Sequence, residues 1–258
     1  MDYDCNCIED NRQPNAILYN ILCRPESKAV HNVNNLNYTL APHRCTCEMR
    51  RTVCLKTPGE TCKTASDVLV KTINFMKSLP AFHQLPAKDQ LALLQSCWAP
   101  LFILGLAQER VCFQVTDTPA ASMLKRILLN RHEDMDALRE QPTMAGVNTL
   151  MSCLKKFWSL DLSPKEYAYL KGTMMFNPDV PELKAVLFIE ELQQQAQHAL
   201  REVLLPLHPD DRGRFARILL TASSLNAITP SLITELFFRP LIGQADLLEL
   251  LAEMLFSK

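Results

Sequence analysis

From Thr64 to the C-terminus, apolar residues recur at the 3.6-residue spacing of an α-helix in one segment after another. The 258-residue chain has 41 leucines and only six glycines, a composition that favours helices because leucine is a good helix former and glycine is not. The segment Lys88–Leu106 is apolar nearly all round, which predicts a helix buried at the centre of the fold. A short run at Val111–Val115 has the character of a strand. The chain is therefore predicted to be all-α, with a very short β element near residues 111–115.

Residues 1–62 differ from the rest of the chain. They hold seven of the ten cysteines and show little apolar periodicity. This composition predicts a largely disordered, cysteine-bearing segment over residues 1–62, followed by a helical domain over residues 63–258. The exception is Pro14–Pro25, where apolar residues recur at helical spacing between two prolines. A helix this short is marginal alone in water, so it is predicted to form only when docked.

Bulk properties and cysteine spacing exclude several classes of function. The net charge is −1, so no bulk electrostatic argument supports binding to nucleic acid or to a membrane surface. The acidic N-terminus and the absence of an uninterrupted apolar span of membrane length argue against a signal peptide and a transmembrane helix. The N-terminal cysteines include no Cys-x-x-Cys pair and fit no usual zinc frame: Cys5, Cys7, Cys45, Cys47, Cys54 and Cys62. Free thiols, no metal and no direct DNA binding are predicted, with a metal site around Cys45–Cys54 as the alternative.

Catalytic signatures are absent from the sequence. It contains no nucleophile elbow, no phosphate-binding loop and no His-Glu-x-x-His motif. The six histidines show no metal-ligand spacing: His31, His43, His83, His132, His198 and His208. We therefore predict no enzymatic activity, no catalytic residue and no cofactor.

One helical pattern is broken sharply and another closes the chain. Between Phe75 and Trp98, Pro80 and Pro86 bound a short apolar turn, and Lys77 lies just before it. The C-terminal stretch ADLLELLAEMLFSK predicts an amphipathic helix capped by Asp246, with Glu253 opposite its apolar face.

These features together resemble the ligand-binding domain of nuclear receptors. The resemblance rests on Lys77, the stretch LPAFHQL, Asp89-Gln90, Leu94 and Trp98, which follow one another as in that family's signature. Three later stretches resemble further motifs of the fold in the same order: LKGTMMFNPDVPEL, ELFFRPLIG and LLAEML. Over roughly residues 64–258 the resemblance implies a three-layer antiparallel helical sandwich. Because the sequence lacks a paired Cys-x-x-Cys zinc frame, it resembles the DNA-domainless orphan subfamily of these receptors.

The resemblance also implies a groove for partner proteins. In this fold the first helix, the turned segment and the final helix enclose an apolar slot that takes a two-turn helix. Such a helix has unpaired carbonyls at one end and unpaired amides at the other, which Lys77 and Glu253 respectively suit by charge. The groove residues so implied are Val70, Ile73, Lys77, Gln90, Leu91, Leu94, Leu250, Glu253 and Met254.

Short LxxLL-like boxes provide a route to other receptors. Two are interpreted as receptor-binding boxes: Leu18, Ile21 and Leu22, and Leu124, Ile127 and Leu128. The first lies in a polar segment where no core explains its apolar face, whereas packing inside the domain is an equal alternative for the second. A third triplet, Leu247/Leu250/Leu251, is interpreted as the docking face of the final helix itself.

The main functional prediction is a transcriptional corepressor. The resemblance implies that it binds ligand-activated nuclear receptors, competes with coactivators, recruits corepressor proteins and acts in bile-acid, cholesterol and lipid regulation. It also implies location in the nucleus and also the cytoplasm, and homo- or heterodimers through a helix near residues 210–238. The alternative is a receptor that senses a lipid-like molecule. Its pocket would be lined by residues that could equally fill it: Met76, Leu101, Phe102, Leu104, Met123 and Phe237.

Overall fold

The computed structural model describes residues 51–119 and 142–257, within one unit that spans Arg50–Lys258. Helices predominate among them, and the strands form one two-stranded antiparallel sheet. In chain order the elements are β1 Arg51–Leu55, α1 Pro58–Ser78, α2 Pro80–His83, α3 Ala87–Gln108, β2 Val115–Pro119, α4 Met144–Leu160, α5 Pro164–Met175, α6 Val186–Leu207, α7 Arg214–Ser223, a 3₁₀ turn Ser224–Ala227, α8 Pro230–Ile233, a π-helical segment Thr234–Phe238, α9 Arg239–Ile242 and α10 Leu247–Phe256. The predicted all-α fold is confirmed.

Local side chains explain where several helices begin. The hydroxyl of Ser163 accepts the amide of Glu166, and the Glu166 carboxylate accepts the amide of Ser163, which is a complete capping box at the start of α5. Pro164 occupies the first turn, where its missing N–H costs nothing. Asp246 caps α10 by accepting the amide of Leu248. The helix start predicted at Asp246 is confirmed.

The middle of the fold is α3. It contacts α1, α4 and α5, while α1 and α4 pack mainly on α3 rather than on each other. Where α1 crosses α3, a Cβ on Gly105 would lie 2.6 Å from Val68 Cγ1, so the two backbones approach closely only because this residue is glycine. In the described part of the chain α3 alone is long and apolar enough to cross a membrane. Its residues from Leu101 to Ala107 are all buried in the core, as the sequence predicted for a central helix.

The β element differs from the prediction. The strand β2 begins at Val115, the last residue of the predicted range, and pairs antiparallel with β1 so that Leu55 faces Val115. Val111 and Phe113 are buried and Cys112 is exposed, so the alternation seen in the sequence reflects an extended chain lying on the core. The partner strand, Arg51–Leu55, lies within the segment that was predicted to be largely disordered over residues 1–62.

The described elements extend further towards the N-terminus than the domain start predicted at residue 63. The strand β1 begins at Arg51, and α1 begins at Pro58, a residue suited to the first turn of a helix. In the helical region over residues 210–238, the sequence predicts a kink or a division at Pro230, and the structure divides the region into α7, a 3₁₀ turn, α8 and the π-helical segment. Pro230 starts α8 after the Thr229 cap and cannot continue a preceding helix. The domain division itself remains a prediction.

Two buried carboxylates connect the helices. Arg214 Nε, at the start of α7, donates to Glu166 Oε1 of α5 at 3.0 Å, and both side chains are buried. Asp89 of α3 is fully buried and accepts the amides of Lys184 and Ala185 just before α6. A buried carboxylate of this kind is tolerated only with such partners, so these contacts fix how α3 and α5 meet their neighbours.

Candidate functional site

The two walls of the predicted groove are α1 and α3, joined by the bend at α2. Pro80 opens α2 and Pro86 precedes α3, and both fix the backbone where the chain turns. Phe82 and Leu85 are buried beneath the bend and anchor it. The Gln90 side chain donates to the carbonyl of Leu85 at 2.9 Å, which ties the second wall to the bend.

The predicted groove residues differ in exposure. On α1, Ile73 is buried and Val70 is exposed. On α3, Leu94 is buried and Leu91 is partly buried against the core. The walls therefore present apolar side chains whose outer members remain within reach of another helix.

The final helix α10 packs against both walls. It contacts α1 and α3, and it buries Leu247, Leu251 and Leu255, which recur every four residues. Leu250 and Met254 are half-buried, and Glu253 is exposed. The predicted apolar face thus carries the contacts that α10 makes with the two helices.

Lys77 binds the end of a helix, and that helix is α10 of the same chain. Its Nζ donates to the carbonyl oxygens of Met254, at 3.2 Å, and Ser257, at 2.8 Å. These carbonyls belong to the C-terminal end of α10, where unpaired acceptors and the helix dipole favour a cation. His83 Nε2 lies 2.6 Å from the Lys77 carbonyl oxygen and helps to hold the lysine at the bend.

In this arrangement Lys77 and Glu253 do not bracket an open slot. Glu253 immediately precedes Met254, so it belongs to the same last turn that Lys77 binds. The assignment of Lys77, Glu253 and the other groove residues to a partner helix therefore remains a prediction. What the structure shows is that the carbonyls bound by Lys77 come from α10 of the same chain.

The residues proposed as a ligand-pocket lining lie in the core. Met76, Leu101, Phe102, Leu104 and Phe237 are all fully buried. Phe102 packs edge-to-face on Phe237 and Phe238, with ring centroids 5.8 and 5.2 Å apart, and Phe113 packs on Phe237 at 5.1 Å. These contacts favour the alternative in which the residues fill the interior. Met123 lies outside the described residues.

Only some of the other predicted sites fall within the residues that the structure describes. The two receptor-binding boxes, at residues 18–22 and 124–128, lie outside the described residues, as do Cys5, Cys7, Cys45 and Cys47. Cys54 is exposed on β1, whereas Cys62 is buried, and burial raises the pKa of its thiol. Within residues 51–119 and 142–257, no cluster of histidine, cysteine and carboxylate side chains has the grouping that holds a metal ion.

One ion pair near the final helix is not among the features predicted from the sequence. Arg239 Nη2 lies 2.7 Å from Glu235 Oε1, and the two residues are four apart in the chain. That spacing of opposite charges on a helix is a visible signal in the sequence.

Comparisons with known proteins agree with the geometry. A family model described as the ligand-binding domain of nuclear hormone receptor matches residues 52–242. Human nuclear receptor subfamily 0 group B member 2 is 52% identical over 217 residues, covering 82% of this chain and 84% of that protein. Pig nuclear receptor subfamily 0 group B member 1 is 36% identical over 273 residues, covering 98% of this chain and 57% of that protein. The Ultraspiracle ligand-binding domain from Drosophila melanogaster superposes with a TM-score of 0.55 at 25% identity, covering 76% of this chain and 80% of that one.

Proposed function

Because this chain belongs to the nuclear hormone receptor family, we propose that it is a transcriptional corepressor that acts through protein contacts. The domain binds other nuclear receptors in the nucleus and silences them. We also propose that part of the protein is located in the cytoplasm. The nuclear receptor family is non-enzymatic in general, which accords with the lack of a catalytic motif in the sequence. The 258 residues contain no Cys-x-x-Cys pair, which supports action without direct DNA binding.

The observation that carries the groove proposal is the contact between Lys77 and the carbonyl end of α10. It supports the view that this corner accepts a helix C-terminus, because the lysine binds main-chain carbonyls that every helix end presents. A partner helix with an LxxLL-like face offers the same carbonyls and the same apolar spacing. Corepressor proteins are therefore expected to exchange with α10 for this slot.

The boxes supply the second half of the mechanism. Three buried aliphatic side chains contribute about 5–9 kcal/mol gross, and association and helix ordering subtract several kcal/mol. The net is near micromolar affinity, roughly −8 kcal/mol. Leu18–Leu22 and Leu124–Leu128 would then compete with a coactivator helix for the groove of an agonist-bound receptor.

Removing the boxes is expected to abolish most receptor capture. In a pull-down with a panel of agonist-bound receptor domains, Leu18→Ala/Leu22→Ala should reduce capture at least about tenfold, because each truncation removes about 2 kcal/mol of buried apolar surface. Leu124→Ala/Leu128→Ala should do the same if those residues are a box rather than core. Leu36→Ala, elsewhere in the N-terminal segment, is the matched control. Unchanged capture by both double variants would exclude competition through these boxes.

Lys77 is expected to bind the ends of partner helices as it binds α10. Leu251 is fully buried, so Leu251→Asp should undock α10 and leave the slot open. In that background, Lys77→Ala should weaken binding of a fluorescein-labelled peptide of residues 13–25 about tenfold, because hydrogen bonds from a charged donor are lost. Lys77→Arg should retain most of the affinity, as measured by fluorescence anisotropy. Equal affinities for all three proteins would contradict a role for Lys77 in groove binding.

Dimerisation is proposed through the helices near residues 210–238. Leu220 of α7 is 70% exposed, so its side chain is available to a protein contact. Arg201 stacks on the ring of Phe215, so α6 holds α7 in place while the other face of α7 stays uncovered. A second copy of the chain or another receptor of the family would cover that face.

A further inference from the structure

The turn between α9 and α10 depends on one arginine. Gly243 has φ +60°, a conformation that favours glycine, and the chain reverses there to bring α10 back onto the walls of the groove. Arg239 Nη1 donates to the carbonyl oxygens of Gly243, at 2.7 Å, and Ala245, at 3.3 Å. The guanidinium therefore binds the turn on both sides of Gln244.

The guanidinium of Arg239 is also bound by a carboxylate, that of Glu235. Arg239 Nε and Nη2 both donate to Glu235 Oε1, at 2.9 and 2.7 Å, and the pair is partly shielded from solvent. Glu235 lies in the π-helical segment whose Leu236, Phe237 and Phe238 are buried in the core. The turn is thus connected through two side chains to a segment that is buried in the core.

The helix α10 is consequently held at both ends by cations that bind main-chain carbonyls. Arg239 binds the turn that leads into it, and Lys77 binds its C-terminal end. Neither contact depends on the side chains of α10. The apolar face of α10 supplies the docking energy, and the two cations determine where along the walls it docks.

We propose that Arg239 is a positioning residue that, with Glu235, sets the fraction of molecules in which the final helix leaves the groove. This inference rests on the proposed function, in which a partner helix exchanges with α10. Arg239 does not touch the partner. It controls the partner's access, because a ligand's apparent affinity scales with the fraction of protein whose site is open.

Hydrogen exchange on the full chain tests the proposal directly. In Arg239→Gln, amides of residues 247–257 should exchange at least about tenfold faster than in the wild type, because bonds from a charged donor are lost. Amides of residues 93–107 in α3 should be unaffected. Arg239→Lys should fall between the two, because an ammonium can pair with Glu235 but cannot reach the carboxylate and both carbonyls with one planar fork. Arg217→Gln, which removes an arginine from an exposed ion pair with Asp211, is the matched control and should behave as wild type.

Peptide affinity is a second measurement, and it would not increase if Arg239 had a purely structural role. A fluorescein-labelled peptide of residues 245–257 should bind Arg239→Gln more tightly than wild type, by the same factor as the gain in exchange rate. Glu235→Gln should shift both quantities in the same direction, and it carries the test if Arg239→Gln fails to fold. Unchanged exchange at residues 247–257 in the Gln variants overturns the inference. Faster exchange with no peptide binding to any variant leaves the positioning role standing and refutes the groove function instead.

Discussion

Replacing Arg214 with leucine is expected to lower the free energy of unfolding by about 3–5 kcal/mol, because it leaves a buried carboxylate without its partner. Arg214 donates to Glu166 Oε1 at 3.0 Å and to the carbonyl oxygen of Asp161 at 3.4 Å. Glu166 is 1% exposed, so water cannot replace the lost donor. The measurement is urea unfolding at pH 7.

The difference in unfolding free energy between Arg214→Leu and wild type should become smaller as the pH falls. Burial by itself would raise the pKa of Glu166, but the hydrogen bonds from Arg214 and Ser163 outweigh it and hold the pKa below the ordinary value of 4.5. A carboxyl group with a lowered pKa stabilises the fold fully above its unfolded pKa and loses that contribution as the pH falls through the folded value. The wild type should therefore lose stability below about pH 4.5. In Arg214→Leu, the Glu166 carboxyl is still buried and still bonded to Ser163 but has lost Arg214, so its pKa should rise. The difference in unfolding free energy between this variant and wild type should therefore become smaller at acid pH.

Two further variants separate the charge effect from packing. Glu166→Gln/Arg214→Leu removes the unpaired charge and should recover part of the lost stability. Arg217→Leu, on an exposed face of the same helix, should change stability by less than about 1 kcal/mol. If Arg214→Leu is no worse than Arg217→Leu, the buried pair does not contribute as described.

Truncating Phe102 to alanine is expected to cost about 3–5 kcal/mol, since a fully buried ring leaves a cavity that its neighbours fill only in part. Phe102 is fully buried and packs against the rings of Phe237 and Phe238. Urea unfolding of Phe102→Ala gives the value. Phe256→Ala, at a half-exposed position, is the matched control and should stay within about 0.5 kcal/mol of wild type.

The same variant tests the ligand-sensing alternative. If Phe102 lines a cavity that is open in the wild type, truncation loses fewer contacts and the cost falls below about 1.5 kcal/mol. Native mass spectrometry of the wild-type protein for a retained lipid provides an independent measurement. A small stability loss together with a retained lipid would contradict the filled core.

Local signals in the sequence predicted local structure well. Pro164 directly after Ser163 is typical of a helix start and lies at the start of α5, and Asp246 identifies the start of α10, because such signals span only a few residues. The central position of α3 also followed, since a helix that is apolar on every side must be covered on every side.

Features that depend on distant residues were harder to predict. The partner of β2 is a strand more than fifty residues earlier in the chain, and an alternating pattern does not name its partner. The chemistry of Lys77 was predicted as a cation at a helix C-terminus, but helix ends are alike, so the sequence did not say which helix supplies it. Arg239 depends on the reversal at Gly243, which brings two carbonyls onto one guanidinium.

The bonds from Lys77 to Met254 and Ser257 join residues 177 and 180 positions apart, and this has a kinetic consequence. Closing so long a loop costs conformational entropy before any contact is gained, so we expect the final helix to dock late, after the rate-limiting step of folding. Contacts made after that step slow unfolding and leave the folding rate almost unchanged. On this expectation, removing either cation at the ends of the final helix should speed unfolding of the domain and leave its folding rate almost unchanged.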